Sequence, residues 1–187
     1  MTAPRRIGAT DSKTREQLVQ AAERVLMDEG YAAVTSRRVA AAAGLKPQLV
    51  HYYFRTMDDL FVEVLRRNAD RSLAHAERVL SEDGSLAALW SLNNDPRGAR
   101  FLVEFAALAN HRKEIRAEMA RYAKRNRAMQ LKALKAALPD DTVPPMVALL
   151  LMTGLGQVLG IEQALGVTEG HAATRAFVDH AINQLDA

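Results

Sequence analysis

The chain contains no cysteine. Disulfide staples, thiolate nucleophiles and cysteine-ligated zinc are therefore excluded, and a reducing, cytoplasmic setting is expected. Convincing period-two alternation of apolar and polar residues is also missing, which argues against β-structure. Long uninterrupted apolar runs are lacking too. The longest, Met146 to Ile161, is broken by Thr153, Gln157 and three glycines and falls short of the ~20 residues that span a bilayer. It reads as a buried helix, with no membrane association expected. Met1 to Asp11 carries Arg5 and Arg6 with no apolar stretch behind them, unlike a signal peptide. No phosphate loop, nucleophile–base motif or metal-spaced His/Asp/Glu set occurs. Glu104 and His111 lie seven apart, as on one helix face, but such a pair is common by chance. The expectation is a non-enzyme with no catalytic residue, no metal and no cofactor.

What is present is a helical pattern dominated by alanine, leucine, arginine and glutamate over 187 residues, 49% hydrophobic and 25% charged. That length and balance suit a soluble protein with a substantial core. The formal net charge is +3. Up to Arg67 there are 11 Lys+Arg against 8 Asp+Glu, whereas from Asn68 onward there are 14 of each. The excess in the first third is weak evidence for a polyanionic partner.

A first helix is expected from about Ser12 to Glu29, with Leu18, Ala21, Ala22, Val25 and Leu26 on one face and Gly30 as its stop. After a link from Tyr31 to Val34, Thr35 and Ser36 are good N-cap types. Two short helices follow, split by Gly44. Thr56-Met57-Asp58-Asp59 then matches a capping box and opens a longer helix with Leu60, Phe61, Val64 and Leu65 on its apolar face. Breaks at Asp83-Gly84-Ser85, Asn93 to Pro96, Asn110-His111, Pro139 to Pro145 and Gly166 divide the rest, giving about nine helices in all. The expected organisation is an all-α fold. A flexible basic arm occupies residues 1–11, a helix-turn-helix domain residues 12–56, and a larger helical domain for effector binding and dimerisation residues 57–187.

The segment from Ser36 to Phe54 meets the demands of a helix-turn-helix. Two closely crossing helices need a small residue at the contact, supplied by Ala40. The turn needs a residue tolerant of left-handed backbone, supplied by Gly44 four positions later. Val50 is the inward residue of the second helix, and Val39, Ala43, Leu45 and Tyr53 complete the apolar set. Pro47 near the second helix start has no N–H to leave unpaired. A tight αα-hairpin without a DNA role satisfies the same pattern.

The stretch Val34 to Phe54, ending in Tyr52-Tyr53-Phe54, and the acidic helix start at Thr56 to Leu60 resemble the DNA-binding domain of TetR-family transcriptional regulators. The likeness covers about Thr14 to Leu65; beyond it only length, helical pattern and an apolar C-terminal helix pair agree. In a helix-turn-helix the second helix enters the major groove. Lys46, Pro47, Gln48 and His51, with Tyr52 alongside, form the expected reading face, and His51 has a plain surface role as its alternative. Gln48 suits adenine, and Lys46 suits guanine or phosphate. Thr35, Ser36, Arg37, Tyr52 and Thr56 are the expected phosphate contacts. Family members often carry a lysine where Met57 stands, so that contact is in doubt. Arg5 and Arg6 form either a DNA-reaching arm or a free tail. Tyr53 and Phe54 are expected to pack inward.

Such modules usually act in symmetric pairs on duplex DNA. The expected pairing surface is Met146, Leu150, Gly154, Gln157, Val158 and Ile161 with Ala173, Phe177, Ala181 and Leu185; an internal core is the alternative. Gly154, Gly156 and Gly160 would admit a close neighbouring backbone. The resemblance implies a four-helix bundle in a homodimer, and a small-molecule effector among the central helices. Candidate ligand residues are Trp90, Phe101, Glu104, Phe105, His111, Met119, Tyr122 and Met152, with ordinary core as the alternative. His111 to Lys135 holds nine Lys+Arg against two Asp+Glu, either a solvated face or a site for an anionic partner such as an acyl-CoA or flanking DNA. The function expected is a repressor released from a palindromic operator by a small apolar or acyl-type effector. The alternative is a ligand-independent regulator controlled by its expression level or a protein partner.

Overall fold

The computed structural model describes residues 9–138 and 143–185, and among these residues the regular structure is entirely helical. Nine α-helices follow one another: α1 Ala9–Glu29, α2 Ser36–Ala43, α3 Pro47–Tyr53, α4 Met57–Glu82, α5 Leu86–Asn93, α6 Pro96–Ala109, α7 Lys113–Ala137, α8 Pro145–Ala164 and α9 His171–Leu185. A short 3-10 turn, Tyr31–Ala33, links α1 to α2. Helix α1 starts at Ala9, earlier than the expected Ser12, so residues 9–11 are helix and not arm. Arg5 and Arg6 lie outside the described residues.

The chain forms two compact units. One contains the residues up to Asn68 together with Glu104–Glu118; the other contains Ala69–Val103 and Met119 onward. Each boundary falls inside a helix, in α4, α6 and α7.

The first unit is built on the apolar face of α1. Leu18, Ala21, Ala22, Val25 and Leu26 are buried, as are Val39 and Ala40 of α2, Val50 of α3, and Leu60, Phe61, Val64 and Leu65 of α4. Phe105 and Leu108 of α6 and Ile115 of α7 are buried in the same unit, and the Phe61 and Phe105 rings meet edge to face at 6.5 Å. Polar links reinforce this packing. Arg112 Nε donates to Asp58 Oδ1 at 2.8 Å, and its guanidinium lies over the Phe61 ring. Arg66 Nε donates to Glu118 Oε2 at 3.1 Å.

In the second unit, Leu86, Leu89 and Trp90 of α5 pack with Leu134 of α7, Leu149 and Leu159 of α8 and Ile182 of α9. A Cβ on Gly156 would stand 1.9 Å from the carbonyl oxygen of Asn93, and one on Gly160 would stand 2.5 Å from the Ala99 Cβ. The close neighbours that these glycines admit are therefore the chain's own α5–α6 turn and the start of α6. Gly154 faces open space. The Asn93 side chain donates to Gln130 Oε1 and accepts from Thr153 Oγ1, joining α5, α7 and α8.

Helix α8 corrects the expectation of a buried helix. Only Leu149, Gly156, Leu159 and Gly160 are buried, while Met146, Val147, Leu150, Leu151, Val158 and Ile161 are exposed. At 20 residues α8 is long and apolar enough to cross a membrane by length and composition, contrary to the shortfall read from the run Met146 to Ile161. Apolar side chains all round a helix call for burial on more than one side, and this unit covers only one.

Candidate nucleic-acid interface

The site is assembled by local backbone chemistry. Thr35 caps α2 by accepting the Arg38 N–H at 3.2 Å. Gly44 ends α2 in the left-handed region, with φ 67. There the Gly44 N–H reaches the Ala41 carbonyl and the Leu45 N–H reaches the Ala40 carbonyl, the paired closure of a Schellman turn. Pro47 occupies the first turn of α3. The capping box is reciprocal: Asp59 N–H donates to Thr56 Oγ1 at 3.1 Å, and Thr56 N–H donates to Asp59 Oδ2 at 3.0 Å.

These stops aim α3. Val50 points inward at 1% exposure, and Phe54 is buried beneath the helix end. Lys46, Pro47, Gln48, His51 and Tyr52 are all exposed. Tyr53 is half-buried and meets Tyr52 edge to face at 4.9 Å. Thr35, Arg37 and Thr56 are exposed and Ser36 is half-buried. The hydroxyls of Thr35 and Thr56 accept bonds within the fold, yet each keeps its O–H to donate to a phosphate. Arg38, next to Arg37, is occupied: its guanidinium clasps Glu29, with Nε to Oε2 at 3.0 Å. That hydrogen bond holds the Glu29 carboxyl below its ordinary pKa. Arg55, a cation directly after the Tyr-Tyr-Phe end of α3, is exposed between α3 and α4.

Three further links brace the head. Arg15 Nη1 donates to Glu63 Oε1 at 2.9 Å and its guanidinium lies over the Phe54 ring. This hydrogen bond holds the Glu63 pKa down and the Arg15 pKa up. Arg24 donates to the Ala42 carbonyl at 3.0 Å, tying α1 to α2. The Tyr31 N–H, ahead of α2, donates to Glu104 Oε2 at 2.9 Å.

The expected ligand residues are divided between the two units. Glu104, Phe105 and His111 belong to the first unit, and Trp90, Phe101, Met119, Tyr122 and Met152 to the second. His111 is exposed in the turn after α6 ends at Ala109, so it shares no helix face with Glu104. The Glu104 carboxylate is engaged by the Tyr31 N–H, and Phe105 is fully buried against Phe61. Trp90 belongs to the core cluster, with Met152 packed against it. Tyr122 has its phenol pKa raised by burial, partly offset by a hydrogen bond with Ser72. Of the expected pairing residues, Met146, Leu150, Gly154, Val158, Ile161, Ala173 and Phe177 are exposed, while Gln157 and Ala181 are half-buried. Leu185 packs against the chain's own core.

Comparison with known proteins agrees with this arrangement. Residues 18–64 match the family model of bacterial regulatory proteins of the tetR family. The HTH-type transcriptional regulator BetI of Rhizobium meliloti is 31% identical over 136 residues, covering 68% of this chain and 67% of that protein. Two solved structures share the fold. A TetR transcription regulator from Haloarcula marismortui has a TM-score of 0.73 at 21% identity, covering 93% of this chain and 98% of its own. A transcriptional regulator from Saccharomonospora viridis, solved in complex with choline, has a TM-score of 0.76 at 20% identity, covering 91% and 98%. With a helix-turn-helix whose second helix turns its polar face outward, and with these relatives, the chain belongs to the TetR family of bacterial transcriptional regulators.

Proposed function

We propose that the protein is a homodimeric, cytoplasmic repressor that reads a palindromic operator with α3 and is released by a small-molecule effector of apolar or acyl type. The observation that carries the DNA assignment is the outward face of α3. Lys46, Gln48, His51 and Tyr52 are exposed on a helix whose other side is locked by Val50. Gln48 reads a base, Lys46 a base or phosphate, and Pro47 offers apolar contact to a thymine methyl. Thr35, Ser36, Arg37, Tyr52 and Thr56, joined by Arg55, hold the phosphates. One such head makes too few contacts for tight specific binding, so two act together. The exposed apolar residues of α8 and α9 supply the pairing surface in this reading.

An effector acts by its differential affinity for the DNA-competent and splayed states of the dimer. The choline held by one structure of the same fold makes choline the first probe beside acyl compounds. Selection of bound sequences from a random duplex library at physiological salt tests the assignment. Recovery of an inverted repeat is the expected result. A folded dimer that recovers no motif would overturn it.

A further inference from the structure

The second unit carries a cationic face that the operator reading does not use. From Met119 to Ala137, α7 has six Lys+Arg and no Asp or Glu. Arg121, Arg125, Lys132 and Lys135 follow one another at spacings that keep them on one helix face, with Lys124 beside them and Ala128 in the gap. All of these are exposed. At 1.5 Å per residue the row extends about 21 Å. The opposite side of the helix, including Gln130 and Leu134, is buried in the unit. On a neighbouring helix Asp70 stands 3.5 Å from Arg125 in a well-exposed pair, an arrangement that contributes little.

The chemistry of the face selects among partners. A membrane-surface helix needs an apolar side to bury in lipid, but none of the exposed large apolar side chains lies on α7. A protein interface is anchored by buried aromatic or aliphatic residues, and this row has none. A small anion carries its charge over a fraction of the row's length. Duplex DNA presents a phosphate about every 1.7 Å of its axis, so about 21 Å of duplex carries about twelve. We infer that the α7 face is a second, sequence-independent contact for the phosphodiester backbone of duplex DNA outside the operator bases. It rests on the DNA-binding reading above.

The test is the salt dependence of full-length protein binding to a long random-sequence duplex. Two variants of equal net charge are compared, K124Q/K132Q/K135Q on the face and R78Q/R100Q/K113Q off it. The face variant is expected to have a log K against log salt slope shallower than wild type by about 2 to 3, near 0.9 per phosphate lost, with the other variant within about 0.5 of wild type. Single K132Q, at an exposed position, is expected to give about one-third of the change with unaltered melting. Equal slopes for the two triple variants overturn the inference, leaving only an effect of net charge. A face variant that loses inorganic polyphosphate binding while its DNA slope is unchanged also overturns it. A wild-type chain with no DNA affinity fails the operator reading instead.

Discussion

Two helix faces of this protein are exposed for opposite reasons. The outer face of α3 presents Lys46, Gln48, His51 and Tyr52, groups that water solvates well and that match base edges and phosphates. The outer faces of α8 and α9 present Leu150, Leu151, Val158 and Phe177, with Phe177 72% exposed. Scattered apolar side chains need no explanation, but rows of them on consecutive helices mark an interaction surface. In the proposed reading the first face is finished as it stands and binds by adding hydrogen bonds. The second gains its largest stabilisation only when another apolar surface covers it.

The comparison is most sharply broken from within the second unit. Gly156→Ala would place a methyl 1.9 Å from the Asn93 carbonyl oxygen, an overlap relieved only by backbone movement. The expected loss is about 3 kcal/mol or more in chemical denaturation. Gly154→Ala, in open space, should instead change stability by no more than the helix preference of alanine, up to about 1 kcal/mol in its favour. Equal effects would show that α8 is not seated as described. Next, Phe177→Asp combined with Leu151→Lys should leave the protomer folded but monomeric by sedimentation, with operator affinity lowered by about 100-fold or more. A variant that remains dimeric would remove α8 and α9 from the pairing surface.

The head offers smaller, more selective effects. Gln48→Ala is expected to cost about 1–3 kcal/mol at one base position and relax selection there. Arg37→Ala should weaken binding on all sequences and reduce the salt slope by about 1. Competition titrations with operator and random duplexes separate the two, and equal losses on both DNAs for Gln48→Ala would refute base reading. The smallest effect concerns acid stability. The Arg15 hydrogen bond holds the folded-state pKa of Glu63 below its ordinary 4.5. This contribution is therefore present above that ordinary value and is lost as pH falls through the lower folded one. Glu63→Gln should flatten the decline in melting temperature below about pH 4.5, and an unchanged acid limb would count against the bond.

The head was legible because its rules are local. Gly44 ends α2, Pro47 starts α3 and Thr56 with Asp59 closes a capping box, each within four residues of its partner. The other structural facts depend on distant neighbours. The spacing of Gly156 and Gly160 announced a close approach but not its source, and the α5–α6 turn and the start of α6 lie some sixty residues away. Helix α8 read as buried because composition records apolarity, not which side of a helix its own chain covers. His111 looked like a helix-mate of Glu104 because a seven-residue spacing says nothing of where α6 stops. No pattern in the sequence marked Glu104–Glu118 as part of the head, since that depends on Phe105, Leu108 and Ile115 being buried there.

That last feature bears on protein engineering. The two units are joined through the interiors of α4, α6 and α7, not through loops. A protease finds no exposed linker at those crossings, and a truncation at Asn68 would strip Phe61 of Phe105 and Arg112. A chimaera that transplants the first unit should carry Glu104–Glu118 with it, because those fifteen residues belong to that unit although the chain places them after Ala69–Val103 of the other.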